Sequence, residues 1–143
     1  MASITSANSI YMLAVTGLFI TPQQLQGFAA DDVFDTEPME NAEVLMGVDG
    51  VLSAGFVFVP VKQSVSLQAD SASNTLFEAW YAAEQAAKEK YFATGIVRFP
   101  SISRSYALTN GVLSTYPAIS DAKKVLQPRK YSITWGSVIG APL

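Results

Sequence analysis

The 143-residue chain contains no cysteine and no histidine. Without cysteine there can be no disulfide, no thiolate metal site and no thiol nucleophile. Without histidine, the commonest general base and the commonest metal ligand are both missing. Charge is scarce too: Asp, Glu, Lys and Arg make up 15% of residues, against about 25% in an average soluble domain. Long hydrophobic runs are absent. The longest, residues 10–20 (IYMLAVTGLFI), is about half of the ~20 residues a spanning helix needs. Residues 1–9 hold no Lys or Arg, whereas a signal peptide has a cationic start, so the run reads as a buried strand rather than a leader.

What the chain does have is apolar surface. Half of its residues are hydrophobic and its mean hydropathy is +0.26. That excludes disorder. It also exceeds what one small domain can hide, so a spare interface is expected. The charge is unevenly spread. Residues 1–87 carry ten acids and one base, Lys62, while residues 88–143 carry eight bases and two acids. A molecule with an acidic and a basic patch can stack head to tail on copies of itself, and a contact that does not close makes a filament.

Alternation and turn residues predict short strands. Residues 9–20 read as one strand or two broken at Gly17, followed by a turn at Pro22-Gln23-Gln24 and a possible resumption over 25–29. Residues 42–48 read as a strand ending in Asp49-Gly50, a strong hairpin signal. Leu52–Val59 is apolar on both faces and should be covered on both sides; Pro60 ends it. Lys62–Asp70 alternates, with Val65 and Leu67 opposite Ser64, Ser66 and Gln68. Residues 91–99, 101–109, 112–116 and 130–139 complete the set, with Asn110-Gly111 as a second hairpin signal. One helix is expected after Asn74, capped there or by Thr75 with Glu78. Its buried face should hold Leu76, Trp80, Ala83, Ala87 and Tyr91, with Glu84 and Lys88 paired outside. A short helix is expected over 120–126. The expected fold is mainly β with one helix: a sandwich or barrel with the α-helix packed on it.

No motif carries catalysis. Ser120-Asp121-Ala122-Lys123 matches S-x-x-K, but its companions S-D-N and K-T-G are absent, and a helix N-cap explains the same residues. The acids at 31–43 lack the spacing of a calcium loop, and nothing marks a sugar cleft for a glycosidase pair. Tyr91, Phe92, Arg98, Phe99, Arg104 and Tyr106 interleave aromatics with bases, so a small nucleic-acid-binding β-barrel is an alternative, set against the acidic overall charge. No enzyme, metal or cofactor is expected.

The order of features resembles the tail-tube proteins of contractile bacteriophage tails, relatives of the inner-tube proteins of type VI secretion and of pyocins. It runs from an apolar first strand through the acidic stretch Glu37-Pro38 to Gly47-Val48-Asp49-Gly50, a long apolar strand, a serine-bearing one, the inserted helix, and closing strands with Ile133-Thr134-Trp135-Gly136. The resemblance covers most of residues 8–142. Two features depart from it: the strand at 92–99 has no outward polar set, and the 110–130 segment is long.

The resemblance implies one domain over 1–143, with residues 1–8 as an extended arm. It implies hexameric rings stacked head to tail into a hollow tube in the virion tail, assembled after synthesis in the host cytoplasm. The implied partners are further copies, a surrounding sheath, and the tape-measure protein and DNA in the lumen, with no membrane. Lumen-facing candidates are Ser64, Ser66 and Gln68 with Asp32 and Asp35; Ser101, Ser103, Ser105, Ser132 and Thr134 are secondary ones. Candidate inter-subunit charges are Lys123, Lys124, Arg129 and Lys130 against Glu37, Glu40 and Glu43. Trp80 is the expected core anchor of the helix.

Overall fold

The computed structural model describes residues 3–4, 6–29 and 33–143. Among these residues, ten strands and one long helix follow in the order β1 (Ile10–Val15), β2 (Phe19–Gln24), β3 (Phe34–Thr36), β4 (Ala42–Met46), β5 (Leu52–Phe56), β6 (Val61–Leu67), α1 (Asn74–Ala87), β7 (Ala93–Phe99), β8 (Arg104–Thr115), β9 (Arg129–Trp135) and β10 (Ser137–Pro142). The fold is mainly β with a packed helix, as the alternation predicts.

All pairings are antiparallel. The strands run β2-β1-β7-β8-β9-β6-β3, with β10 also on β8. They form two layers that share β8. Its first half pairs with β7 and β10, its second half with β9. This corrects the hairpin expected at Asn110-Gly111: β8 runs straight through. Only Asn110 takes positive φ (+53°), whereas a type I′ hairpin turn needs two such residues. The result is a bend where the strand changes layers. Gly136 makes the matching switch between β9 and β10, so the single strand expected over 130–139 is two.

The core lies between the layers and is built from the inward set of each strand: Tyr11, Leu13 and Val15; Val61, Val65 and Leu67; Tyr131, Ile133 and Trp135. One polar group sits among them. The Gln63 carboxamide oxygen accepts hydrogen bonds from the Tyr11 hydroxyl (2.6 Å) and the Trp135 indole (3.1 Å), and its amide donates to Thr36 Oγ1 (3.3 Å). A buried amide is tolerable only when satisfied. Here it also ties β1 in one layer to β6 in the other.

The helix closes one end of the sandwich. Its inward residues are Asn74, Phe77, Trp80 and Glu84, so the buried stripe differs from the expected Leu76-Trp80-Ala83-Ala87. Phe77 stacks on Tyr131 at 4.1 Å, and Asn74 accepts from the Tyr131 hydroxyl at 2.8 Å. Asn74 therefore serves the core rather than capping; Ser73 takes the cap position, but its hydroxyl accepts the Gln26 amide at 2.8 Å instead of capping the helix. Glu84 turns inward to bind Lys90 Nζ (3.2 Å) and the Tyr91 amide (3.0 Å), so the expected Glu84–Lys88 pair does not form. Lys88 instead ends the helix in the left-handed region, φ +55°. Two further expectations are corrected. Pro22-Gln23-Gln24 lies in β2, an edge strand that accommodates proline, and residues 120–126 form no helix.

Candidate functional site

Three surfaces stand out, and the first is the β4–β5 hairpin. Asp49-Gly50 turns it as expected: Gly50 has φ +84°, the Gly47 amide bonds the Val51 carbonyl at 2.8 Å, and the Asp49 carboxylate accepts the Val51 amide at 3.1 Å. Register pairs Ala42 with Phe56, Val44 with Ala54 and Met46 with Leu52. Alternation then puts all six on one face, which is wholly apolar. The other face carries Glu43 and Leu45 opposite Gly55 and Ser53. Every residue of both strands is exposed, and Phe58 beyond them is 91% exposed. The expectation that Leu52–Val59 is covered on both faces is thus overturned. The hairpin leaves the sandwich past β3 and β6, and among the described residues it pairs with no other strand. Glu37 and Glu40 lie exposed at its base, and no cation occurs between residues 37 and 61.

The second surface is the outer face of β6 and β9. Ser64 and Ser132 oxygens lie 3.4 Å apart, Ser114 donates to the Ser132 carbonyl at 3.1 Å, and Thr134 bonds Ser114 at 3.1 Å. Strand pairing brings Ser64, Ser132 and Thr134 together with Ser114, which the sequence did not single out. Asp35 is exposed opposite Ser64. Lys62 and Lys130 stand exposed on the same face. Ser66, by contrast, is 7% exposed, where Ala29 and Val33 hydrogen-bond its backbone. Ser132 is equally buried at 7%, so neither side chain offers a free hydroxyl to a lining, which corrects both nominations. Gln68 is exposed just past β6. Asp32 lies outside the described residues. Ser101 and Ser103 sit in and after a 3-10 turn, and Ser105 lies on β8 away from this face.

The third surface is the outer side of β1, β7, β8 and β10. Thr94, Ile96 and Arg98 point outward from β7; two of the three are polar, which corrects the expectation that this strand lacks an outward polar set.

The expected charge contacts divide. Lys123 and Lys124 are exposed in the 116–128 connection. Arg129 is 6% exposed and bonds the Glu78 carboxylate (2.8 Å) and the Pro117 carbonyl (2.7 Å) while lying over Tyr116 and Tyr131. It staples α1 to β9 and is not free for another subunit. Burial alone would lower its pKa, but Glu78 and the tyrosines hold it above its ordinary value. A charge pair separated by 51 residues leaves no sequence signal. Among the described residues no three acids gather as a metal site, and no helix is long and apolar enough to cross a membrane.

A family model described as Tail fiber protein gp32 matches residues 2–139. No curated protein matches the chain. Among solved structures, a chain of the anti-feeding prophage baseplate is similar with a TM-score of 0.61 at 6% identity, covering 99% of this chain and 97% of that one. A chain of the anti-feeding prophage cap, which terminates that tube, gives 0.57 at 14%, covering 100% and 93%. A chain of the PVC sheath–tube complex, an extracellular contractile injection system in the extended state, gives 0.52 at 11%, covering 93% and 88%. At such identities the likeness is one of fold. These neighbours are structural components of particles, not enzymes.

Proposed function

The chain belongs to the family described as Tail fiber protein gp32, and from that membership, its fold and its bare surfaces we propose that it is a structural subunit of a phage tail tube. Copies form hexameric rings, and rings stack head to tail into a hollow conduit inside a sheath. DNA and a tape-measure protein occupy the lumen, and the mature subunit resides in the virion. The observation that carries the reading is the β4–β5 hairpin. Val44, Met46, Phe56 and Phe58 are 57%, 66%, 69% and 91% exposed. Such a two-stranded element is marginal alone in water, and an apolar patch of this kind marks an interface. The complete fold likeness to chains of a baseplate, a tube-terminating cap and a sheath–tube complex supports the same assembly.

The hydroxyl face of β6 and β9 is the proposed channel wall, with Ser64 and Thr134 at its centre and Asp35 and Gln68 beside it. Hydroxyls neither repel nor grip a phosphate backbone, whereas a dense row of cations would bind it through counterion release. Lys62 and Lys130 flank the face with Asp35 between the strands' ends, so the wall is mixed rather than basic. Lys123, Lys124 and Lys130 against Glu37, Glu40 and Glu43 are the proposed charge contacts between subunits. Negative-stain imaging of the purified chain tests the function: hollow cylinders are expected. Solid fibres or monodisperse small particles at all concentrations would overturn it.

A further inference from the structure

Two apolar surfaces lie bare on one chain. One is the hairpin face of Val44, Met46, Leu52 and Phe56. The other is a row across four strands. Register pairs Met12 with Ile96, Ile96 with Ala107, and Ala107 with Ile139, so these side chains stand in line on the outer side of β1, β7, β8 and β10. Ile96 is 39% and Ile139 63% exposed. Beside them lies a shallow depression of 220 Å³ lined by Met12, Pro22, Thr94, Ile96, Ala107 and Thr109. An antiparallel sheet with its core on one side normally turns polar residues outward on the other. This side is mixed: Thr94 and Arg98 flank Ile96 on β7, and Ser105 and Thr109 flank Ala107 on β8, so the apolar side chains form a stripe one residue wide across the strands.

The hairpin of the same chain is badly placed to cover it. It springs from β3 and β6, at the far end of the strand order from β1 and in the other layer. Folding back would take it around the sandwich, while a five-residue strand reaches only about 17 Å. We infer that the row receives the apolar hairpin face of a second copy, laid sheet on sheet at the usual spacing of about 10 Å. Charge agrees with this pairing. The hairpin and its base carry Glu37, Glu40, Glu43 and Asp49 and no cation. The outward residues flanking the row include Arg98 and no carboxylate among the described residues. The contact joins two different surfaces of identical chains, so it leaves both free partners available for the next copy and propagates. It deepens the self-assembly reading and rests on it.

The absence of cysteine makes the test direct. Val44→Cys and Ile96→Cys variants are mixed, assembled and treated with a bis-maleimide whose span matches the intersheet distance. Val44→Cys with Ser64→Cys is the control pair. Covalent dimers in the first mixture, and at least tenfold fewer in the control, are expected. Assembled particles that give no Val44–Ile96 dimer above control overturn this contact while leaving the tube reading intact. A chain that stays monomeric overturns both. Ile96→Arg provides an independent readout: an unchanged circular dichroism spectrum with assembly slowed at least tenfold supports the contact, and assembly at the wild-type rate overturns it.

Discussion

Gly111 shows how a single position governs the packing of the shared strand. A β-carbon built there would overlap the ring of Trp135, whose indole is completely buried and held by Gln63. The indole is enclosed in the core and has little room to move aside, so Gly111→Ala should destabilise the fold by roughly 1–3 kcal/mol, the range for overpacking a core. Chemical denaturation with an unchanged midpoint would show that the indole can move aside. Tyr131 makes the fold sensitive to alkali. Burial pushes its hydroxyl up to about 12, against the pull of the adjacent Arg129 guanidinium. Burial also raises the Tyr11 hydroxyl. An unfolded tyrosine ionises near pH 10, so stability is complete below about pH 10 and is lost as pH climbs towards 12. Denaturant midpoints taken at about pH 8 and about pH 11 should fall, and Tyr131→Phe should lessen that fall.

At the level of elements, α1 acts as a plug. Trp80 is fully buried and its indole donates to the Tyr91 carbonyl at 3.2 Å, anchoring the helix to the chain that enters β7. Trp80→Ala should cost roughly 3–5 kcal/mol, as for other core aromatics; a variant as stable as wild type would place the helix outside the core. The helix was legible from Asn74 onward because propensity and length are local. Its buried stripe was not. Ala83 and Ala87 fit the spacing, but Glu84 takes the inward place because Lys90 and the Tyr91 amide wait there to satisfy it, and those partners come from the next element. The 116–128 connection presents Lys123 and Lys124 to solvent. Reversing both to Glu should leave the monomer folded and slow association, since rim charges act chiefly through encounter rate. Light scattering in low salt at the wild-type rate would remove these lysines from the contact.

On the scale of the whole molecule, the outer faces of the two layers differ in kind. One is a hydroxyl patch with scattered charge; the other is crossed by an apolar row. The proposed arrangement turns the first towards a channel and the second towards another copy. Ser64→Cys checks the first assignment, in place of the buried Ser66. In assembled tubes a bulky maleimide should react with it far more slowly than in free subunits, and equal rates would put the hydroxyl face on the outside. The sequence by itself determined the class of fold, the inward sets of β6 and β9, the Asp49-Gly50 turn and the excess of apolar surface, because alternation, turn chemistry and composition are properties of neighbouring residues. Only the tertiary structure decided which apolar strands are covered. Leu52–Phe56 reads as apolar on both faces and Val61–Leu67 as alternating, yet the first stands bare on the hairpin while the second is enclosed by β9 and β3. Periodicity fixes which side chains share a face; what lies against that face depends on partners tens of residues away in the chain.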